Sequence, residues 1–490
     1  MNATTTPVPP LSAPSFFPVP NPTRGFWTHS DPNANPLAKE GSTGDLPTDV
    51  DVAIIGSGIT GVSVAYHLAL LMKDKERKEK VPFKVAIFEA RDFCSGATGR
   101  NGGHLTAKGP LEFKEDVKAF GLADAVRQVQ IEEYTTLELT RFIRERDIAE
   151  KIDFQQPGRT AIIKTEEELE FFRESIEGAK EAGLNVSVHR ILEVEEMQTY
   201  GIAERGLQQP GASLWPLKLI TELYNTTKNI TPNLSLSLHT HTLVHSVSPS
   251  SKSTGHWVLS TPRGSITASK VVHATNAYAA HLLSHLSTKI VPTRSQHIAL
   301  RATKPIPRPA LLINWAGDYW FPRPAAPGKA QMVIAGGCRR YAGPPYASGT
   351  VDDGVVDGKI GKALRELLPG VFPDAFEREV EPEMEWVSFV CLGWGGDGMA
   401  DGIAETGIMG FSSTGSPLVG PLLDEGGKPV SGQYICAGYQ GHGMPRAYAC
   451  AEVVARMLIG EIDGTGKWEL PEWLPRCYLT APHKETKDEA

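Results

Sequence analysis

The run "VDVAIIGSGITGVSVAYHL", Val50 to Leu68, constrains this chain more than any other. Val52 to Ile55 read as a short apolar strand, and Gly56, Gly58 and Gly61 follow as G-x-G-x-x-G where a helix from about Thr60 to Lys73 begins. In such a turn the first glycine permits the tight bend, the second lets a phosphate approach the backbone, and the third lets helix and strand pack closely. Unpaired amides and the helix dipole at that N-terminus favour an anion. A charged connector, "KDKERKEKVPFK", reads as a solvated loop. A second strand, Val85 to Phe88, then ends on Glu89, where a carboxylate can accept from a pair of ribose hydroxyls.

A ribose-binding glutamate fits either NAD or the adenosine half of FAD, so the residues that follow decide between them. NAD folds of this class proceed to another helix and strand. Here "RDFCSGATGRNGGHL", Arg91 to Leu105, continues as a long glycine-rich loop. Such a loop can run beside an extended cofactor and bring backbone amides against a flat ring, which is what a flavin requires. The NAD-dependent alternative is disfavoured by this stretch and predicts a colourless protein.

At 490 residues the chain suggests two domains, or one threaded through another. Its formal net charge of −8 suggests no general surface for nucleic acid or anionic membranes. The six cysteines, at 94, 338, 391, 436, 450 and 477, have neither a metal-ligand spacing nor the density of a disulfide framework. Val52 to Met72 is long enough for a bilayer, but its glycine spacing favours a buried strand and helix. Prolines at 7, 9, 10, 14, 18, 20 and 22 interrupt any signal-peptide pattern, so residues 1–47 read as an extended Pro-rich arm. Asn-x-Ser/Thr matches at Asn2, Asn185, Asn225, Asn229 and Asn233 matter only in the secretory pathway, to which nothing else directs the chain. The last residues, "KDEA", match neither the endoplasmic-reticulum nor the peroxisomal signal. The expectation is a cytoplasmic protein with no membrane span; the sequence carries no signal for oligomeric state.

Gly56, Gly58, Gly61 and Glu89 followed by "CSGATGRNGGH" resemble the D-amino-acid-oxidase-type family of FAD-dependent oxidoreductases, in the branch containing bacterial gamma-glutamylputrescine oxidases and many fungal proteins. "VVHATNAYA" (Val271 to Ala279) is similar to the family's second dinucleotide signature, with Ala274 where a strand ends near the cofactor. "GIMGFSSTGSPLVG" (Gly407 to Gly420) and "YICAGYQGHGMPRAYACAEVVARMLIG" (Tyr434 to Gly460) resemble its C-terminal flavin-contacting segments. The resemblance spans roughly residues 48–460.

It implies an α/β fold in which a Rossmann-like FAD-binding domain is discontinuous in sequence and holds an inserted substrate domain, an α+β part built on an antiparallel sheet. The expected division is a Pro-rich arm at 1–47; FAD-binding segments at 48–125, 205–290 and 406–462; substrate segments at 126–204 and 291–405; and a tail at 463–490. The local sequence agrees. Leu122 to Arg146 is amphipathic and reads as a helix, "ASLWPLKLITELYNTTKN" reads as a helix returning to the cofactor domain, and Ile290 to Glu385 is strand-rich.

Site roles follow the matching motifs. By that resemblance Gly99, Arg100, Asn101, Gly102 and Gly103 would order the cofactor loop, and His104 would be a flavin neighbour or a covalent attachment point. Gly441, His442, Gly443 and Met444 put a glycine turn and a helix start near the flavin pyrimidine, where a helix N-terminus stabilises the negative charge of reduced flavin. His442 reads either as a flavin contact or as a packed histidine. Relatives that attach flavin through cysteine carry it where Ile408 and Met409 stand, so FAD is expected to be noncovalent. No metal site is expected. In "GDYWFPRP", Tyr319 and Trp320 stand where the family keeps a substrate wall, suited to a cationic amine, with ordinary sheet packing as the other reading. Arg339 and Arg340 could bind a carboxylate or face solvent. Lys304 stands near the place where some relatives keep an oxygen-activating lysine.

One departure from the family pattern follows Glu385 and Trp386. Val387 to Glu405, "VSFVCLGWGGDGMADGIAE", precedes "TGIMGF", carries five glycines and predicts a loop, either a lid or translated intron sequence. The function expected is oxidation of a small amine or amino acid by hydride transfer to flavin N5, imine hydrolysis and reoxidation by O2 to peroxide. The alternative is a low-turnover flavoprotein acting in trafficking or as a scaffold, docked through its Pro-rich arm.

Overall fold

The computed structural model describes residues 17–73, 75, 81–306, 311–314, 317–325, 329–344, 347–392, 411–412 and 415–482. Strand β1 (Asp49–Ile55) runs into helix α1 (Ile59–Lys73), and strand β2 (Phe83–Phe88) follows. The chain then leaves through helices α2 (Phe113–Phe120) and α3 (Leu122–Glu145) and lays down strands β3 (Arg159–Ile163) and β4 (Arg205–Gln209) in a second sheet. Helix α4 (Pro216–Thr227) brings it back to β5 (Leu234–His239) and β6 (Gly264–His273). It departs once more as β7 (Ile290–Arg301), β8 (Tyr319–Pro322), β9 (Met332–Gly336) and β10 (Met384–Leu392). It returns as β11 (Leu418–Leu423), β12 (Pro429–Ala437) and helix α5 (Gly443–Ile462).

The first sheet has the order β11-β12-β6-β1-β2-β5. Strands β12, β6, β1, β2 and β5 are parallel, and β11 pairs antiparallel with β12 at the edge. Val52, Ala53 and Ile54 on β1 have no exposed surface, which is why that strand reads as an unbroken apolar run. Helices α1 and α5 pack on each other beside this sheet.

The second sheet runs β10-β7-β9-β8, then residues 311–314, then β3-β4, antiparallel except where 311–314 meets β3. Its strands alternate faces. Trp320, Ile298, Val333 and Ala335 share a cluster with the helix Gly358–Val371, whereas Tyr319 and Phe321 turn to the other face and pack on His104.

Two expectations change. From Phe17 onward the Pro-rich segment is integrated into the fold: Trp27 has no exposed surface, its Nε1 donates to the Asn101 carbonyl, and its own carbonyl accepts from Trp215 Nε1 at 2.8 Å. Burial of the "GFW" aromatics outweighs the prolines around them; residues 1–16 lie outside the described residues. The loop expected at Val387–Glu405 does not include its first six residues. Val387 to Leu392 continue β10, paired with β7 from Gln296 back to Val291. These six residues are apolar or small and suit a strand; the glycines that signal a loop begin at Gly393, and 393–405 lies outside the described residues, as do 407–410. No described helix is long and apolar enough to cross a membrane.

Candidate active site

The C-terminal ends of β1, β2 and β6, the loop that follows β2, and the start of α5 line one cavity with about 1550 Å³ of empty space, its mouth included. A crevice at the carboxyl ends of parallel strands is where open α/β sheets bind ligands. Gly56 has φ +111°, and a Cβ there would lie 2.6 Å from the Ala274 carbonyl oxygen; at Gly61 a Cβ would lie 2.0 Å from that of Gly56. No side chain fits at either position. Gly58 faces Thr98, whose Oγ1 accepts from Ile59 N at 3.0 Å and ties the phosphate turn to the glycine-rich loop.

Glu89 is held at the end of β2. Its Oε2 accepts from Ser57 N at 3.1 Å and Ser57 Oγ at 2.8 Å, and its Oε1 accepts from Arg91 N at 3.0 Å. Across the cavity, Ala274 N donates to Ile55 O at 3.0 Å, and the next residue, Thr275, presents a buried hydroxyl with no hydrogen-bond partner among the described residues. Buried polar atoms of this kind are rare without a missing partner. A fixed carboxylate, a bare turn at a helix start, an orphaned hydroxyl and a second helix N-terminus along one crevice fit the sugar, phosphate and flat ring of FAD.

The loop after β2 divides into wall and support. Asn101, Gly102 and His104 line the cavity; Gly99, Arg100 and Gly103 stand behind it. A Cβ on Gly99 would meet the Cys94 carbonyl at 2.0 Å, and one on Gly103, at φ +87°, would meet the Trp27 ring at 2.7 Å. Arg100 Nε donates to Val387 O at 2.6 Å and Nη2 to Thr23 O at 2.7 Å, and Trp386 Nε1 donates back to Arg100 O at 2.7 Å. Asn101 closes the turn on itself, donating to Thr98 O at 3.0 Å and accepting from Gly103 N at 2.7 Å. Behind the loop, fully buried Asp353 accepts from Arg91 Nη1 at 3.0 Å and faces Arg100 Nε at 3.7 Å. This cluster joins the cofactor loop, residues 19–24 and the second sheet's insertion.

At the far end of the cavity Gly441, His442, Gly443 and Met444 meet His104, Thr106 and Arg159. Burial pushes His104 down to about 3, so it is a neutral ring at physiological pH. Burial also lowers Arg159, to about 10, against the opposing pull of Glu112 and Glu132. His442 caps α5, with Nδ1 3.4 Å from Glu132 Oε1; the same oxygen accepts from Arg446 Nε at 2.6 Å. Burial opposes ionisation of Glu132, but Arg446 and His442 outweigh it and hold the carboxyl well below its ordinary value.

The other residues singled out from sequence lie elsewhere. Tyr319 is fully buried behind Gly102, where a Cβ would lie 2.3 Å from its hydroxyl, and Trp320 is on the opposite face of the sheet. Neither is among the cavity's lining residues. Arg340 is committed to Asp318 through two hydrogen bonds of 2.7 Å; Arg339 and exposed Lys304 are also away from the cavity wall. Sequence reasoning missed Thr275, Glu132 and Arg159. Thr275 sits inside a motif already noted, whereas Glu132 lies mid-helix and Arg159 in a short strand, with no local pattern to mark them.

A family model described as "FAD dependent oxidoreductase" (DAO) matches residues 51–457. Gamma-glutamylputrescine oxidoreductase of Escherichia coli (strain K12) is 26% identical over 233 residues, 46% of this chain and 49% of that protein. The chain spans half or less of the length of the curated relatives it matches. L-amino acid deaminase from Proteus vulgaris, solved without its specific insertion sequence, superposes with a TM-score of 0.62 at 18% identity, covering 93% of this chain and 99% of that one. Glycine oxidase from Geobacillus kaustophilus superposes with a TM-score of 0.59 at 19% identity, covering 84% and 95%.

Proposed function

The chain belongs to the FAD-dependent oxidoreductase family, and from that premise we propose that it oxidises the C–N bond of a small amine or amino acid, with O2 as the final acceptor. The observation that carries this reading is the convergence, on one cavity, of segments more than 300 residues apart: the turn at Gly56–Gly61 and the start of α5 at Gly443. The relatives named above as acting on an amino acid or a putrescine derivative support the substrate class.

Bound noncovalently, FAD supplies the acceptor for a hydride from the substrate carbon. The protein's part is to bind, orient and exclude water. Glu89 would accept from ribose hydroxyls, and the amides after Gly56 would hold the pyrophosphate. The free amides at the start of α5 favour negative charge beside them. His104, held neutral, and Thr106 add no charge of their own to the wall beside Arg159. Arg159 gives that wall one positive group, suited to a carboxylate if the substrate carries one. Tyr319 backs Gly102 and keeps the loop in place.

The test is the visible spectrum of the purified protein, before and after acid precipitation, followed by anaerobic addition of amines and amino acids and assay of peroxide in air. Flavin colour that moves to the supernatant, and bleaching by at least one amine, is the expected result. A colourless protein, or a flavoprotein that no amine or amino acid bleaches, would overturn the reading.

A further inference from the structure

The cavity ends on a histidine whose orientation is set from outside it. His442 is buried and lines the cavity at the residue immediately before α5. Its Nδ1 faces Glu132 Oε1 at 3.4 Å, across from the middle of α3. Glu132 is itself fixed: Arg446 Nε donates to Oε1 at 2.6 Å, and the backbone N–H of Lys108 donates to Oε2 at 2.5 Å. Lys108 Nζ is occupied by Glu112 at 2.7 Å and Asp116 at 3.1 Å. The charged groups around the ring are therefore Glu132 on α3, Arg446 on α5, Lys108 with its two carboxylates at and before α2, and Arg159 on β3. Three acids face three bases, and two imidazoles, His104 and His442, line this end; among the described residues His442 is the one with a carboxylate on its ring. A buried carboxylate with two donors on it cannot rotate away, and a ring whose Nδ1 meets that carboxylate has Nε2 left for the cavity. Bonds of this kind are often long in a free enzyme and shorten once substrate is bound.

Resting on the amine reading above, we propose that Glu132 is a positioning residue that accepts the Nδ1 proton of His442 and so presents Nε2 of that ring to the cavity as the proton acceptor for a substrate ammonium. In the step, one N–H bond of the ammonium breaks and its proton forms a bond to Nε2. The nitrogen keeps the electron pair, leaving a neutral amine and an imidazolium whose charge Glu132 offsets. No electrons pass to an acceptor in this step. The substrate class it implies is one whose reacting nitrogen arrives protonated, as primary and secondary aliphatic amines do in water.

The test uses the FAD-loaded protein with ¹⁵N-labelled histidine, His442 being identified by the signal lost in His442→Gln. In the wild type the neutral ring is expected as the Nδ1–H tautomer; the Nε2–H tautomer would overturn the proposal without any variant of Glu132 being made. In Glu132→Gln the charge that stabilises the imidazolium is gone, so the titration midpoint of His442 is expected to fall by about 1–3 pH units. An unchanged midpoint would overturn it. With a substrate in hand, the acidic limb of the kcat/KM profile should shift in the same direction, which a merely structural glutamate would not cause. These histidine readouts need no turnover, so a failure of every amine to bleach the flavin would overturn the function proposed above and remain distinct from a failure here.

Discussion

Replacing Gly102 with alanine puts a methyl group into space that the Tyr319 hydroxyl already occupies. The new Cβ would lie 2.3 Å from Oη and 2.8 Å from both Cζ and Cε2. Reaching ordinary contact needs a movement of about 1 Å by either the cofactor loop or the ring. Tyr319 has no exposed surface, and its hydroxyl sits nearly as close, 2.5 Å, to the position of a Cβ on Gly336, so the ring is confined between two glycines. Overpacking of this kind costs about 1–3 kcal/mol. That corresponds to an apparent Tm lower by about 2–12 °C for a domain of this size, read from release of flavin fluorescence on heating. Tyr319→Phe removes the atom that clashes most. It also removes a buried hydroxyl with no partner among the described residues, so by itself it should leave Tm level or slightly higher. When Gly102→Ala is combined with Tyr319→Phe, it should cost about half as much as it does alone, a coupling on the order of 1 kcal/mol, as expected for residues in contact. Equal losses with and without Tyr319→Phe would refute the packing argument, as would a Gly102→Ala protein that melts with the wild type.

Three further outcomes are expected. Asp353→Ala leaves Arg91 and Arg100 buried without their shared carboxylate and should cost about 3–5 kcal/mol in urea unfolding, with faster proteolysis near residues 19–24; a loss below about 1 kcal/mol would mean that the cluster behaves as a surface ion pair. Glu89→Gln should weaken FAD binding to the apoprotein roughly ten- to a hundredfold by fluorescence titration, the worth of one or two charge-assisted hydrogen bonds, and an unchanged Kd would remove Glu89 from the cofactor site. Burial lowers His67 and His273 to about 4 and His297 to about 3. Below about pH 6.5 the unfolded chain takes up protons that the folded one refuses, so stability is full above that value and declines as pH falls toward 4, by about 2 kcal/mol per histidine at pH 5. A urea midpoint that is the same at pH 7.5 and pH 5 would contradict this.

Local backbone demands are what this sequence determined by itself. Gly56 and Gly61 could be located because their positions tolerate no Cβ, and a glycine requirement is written at the residue that meets it. Strand β1 was legible because burial on both faces makes an unbroken apolar run, and α3 because one apolar stripe repeats every turn. The interruption of the cofactor domain was legible only through family resemblance, since no single segment states which sheet it will join.

Contacts between distant segments were decided by the tertiary structure. "YWFP" looks alike from one residue to the next, but a strand period of two, combined with the register of β8 on β9, sends Tyr319 toward the cofactor loop and Trp320 to the opposite cluster. Arg340 was open to a carboxylate on paper; the fold supplies one, Asp318, from the protein itself. Val387 to Leu392 became strand because β7 offered unpaired backbone along their length. Glu132 is an ordinary acid in an amphipathic helix until α5 brings His442 and Arg446 to it from 310 and 314 residues away. A side chain's local neighbours set its backbone conformation, whereas its chemistry depends on partners chosen by packing, and those partners leave no mark at its own position in the sequence.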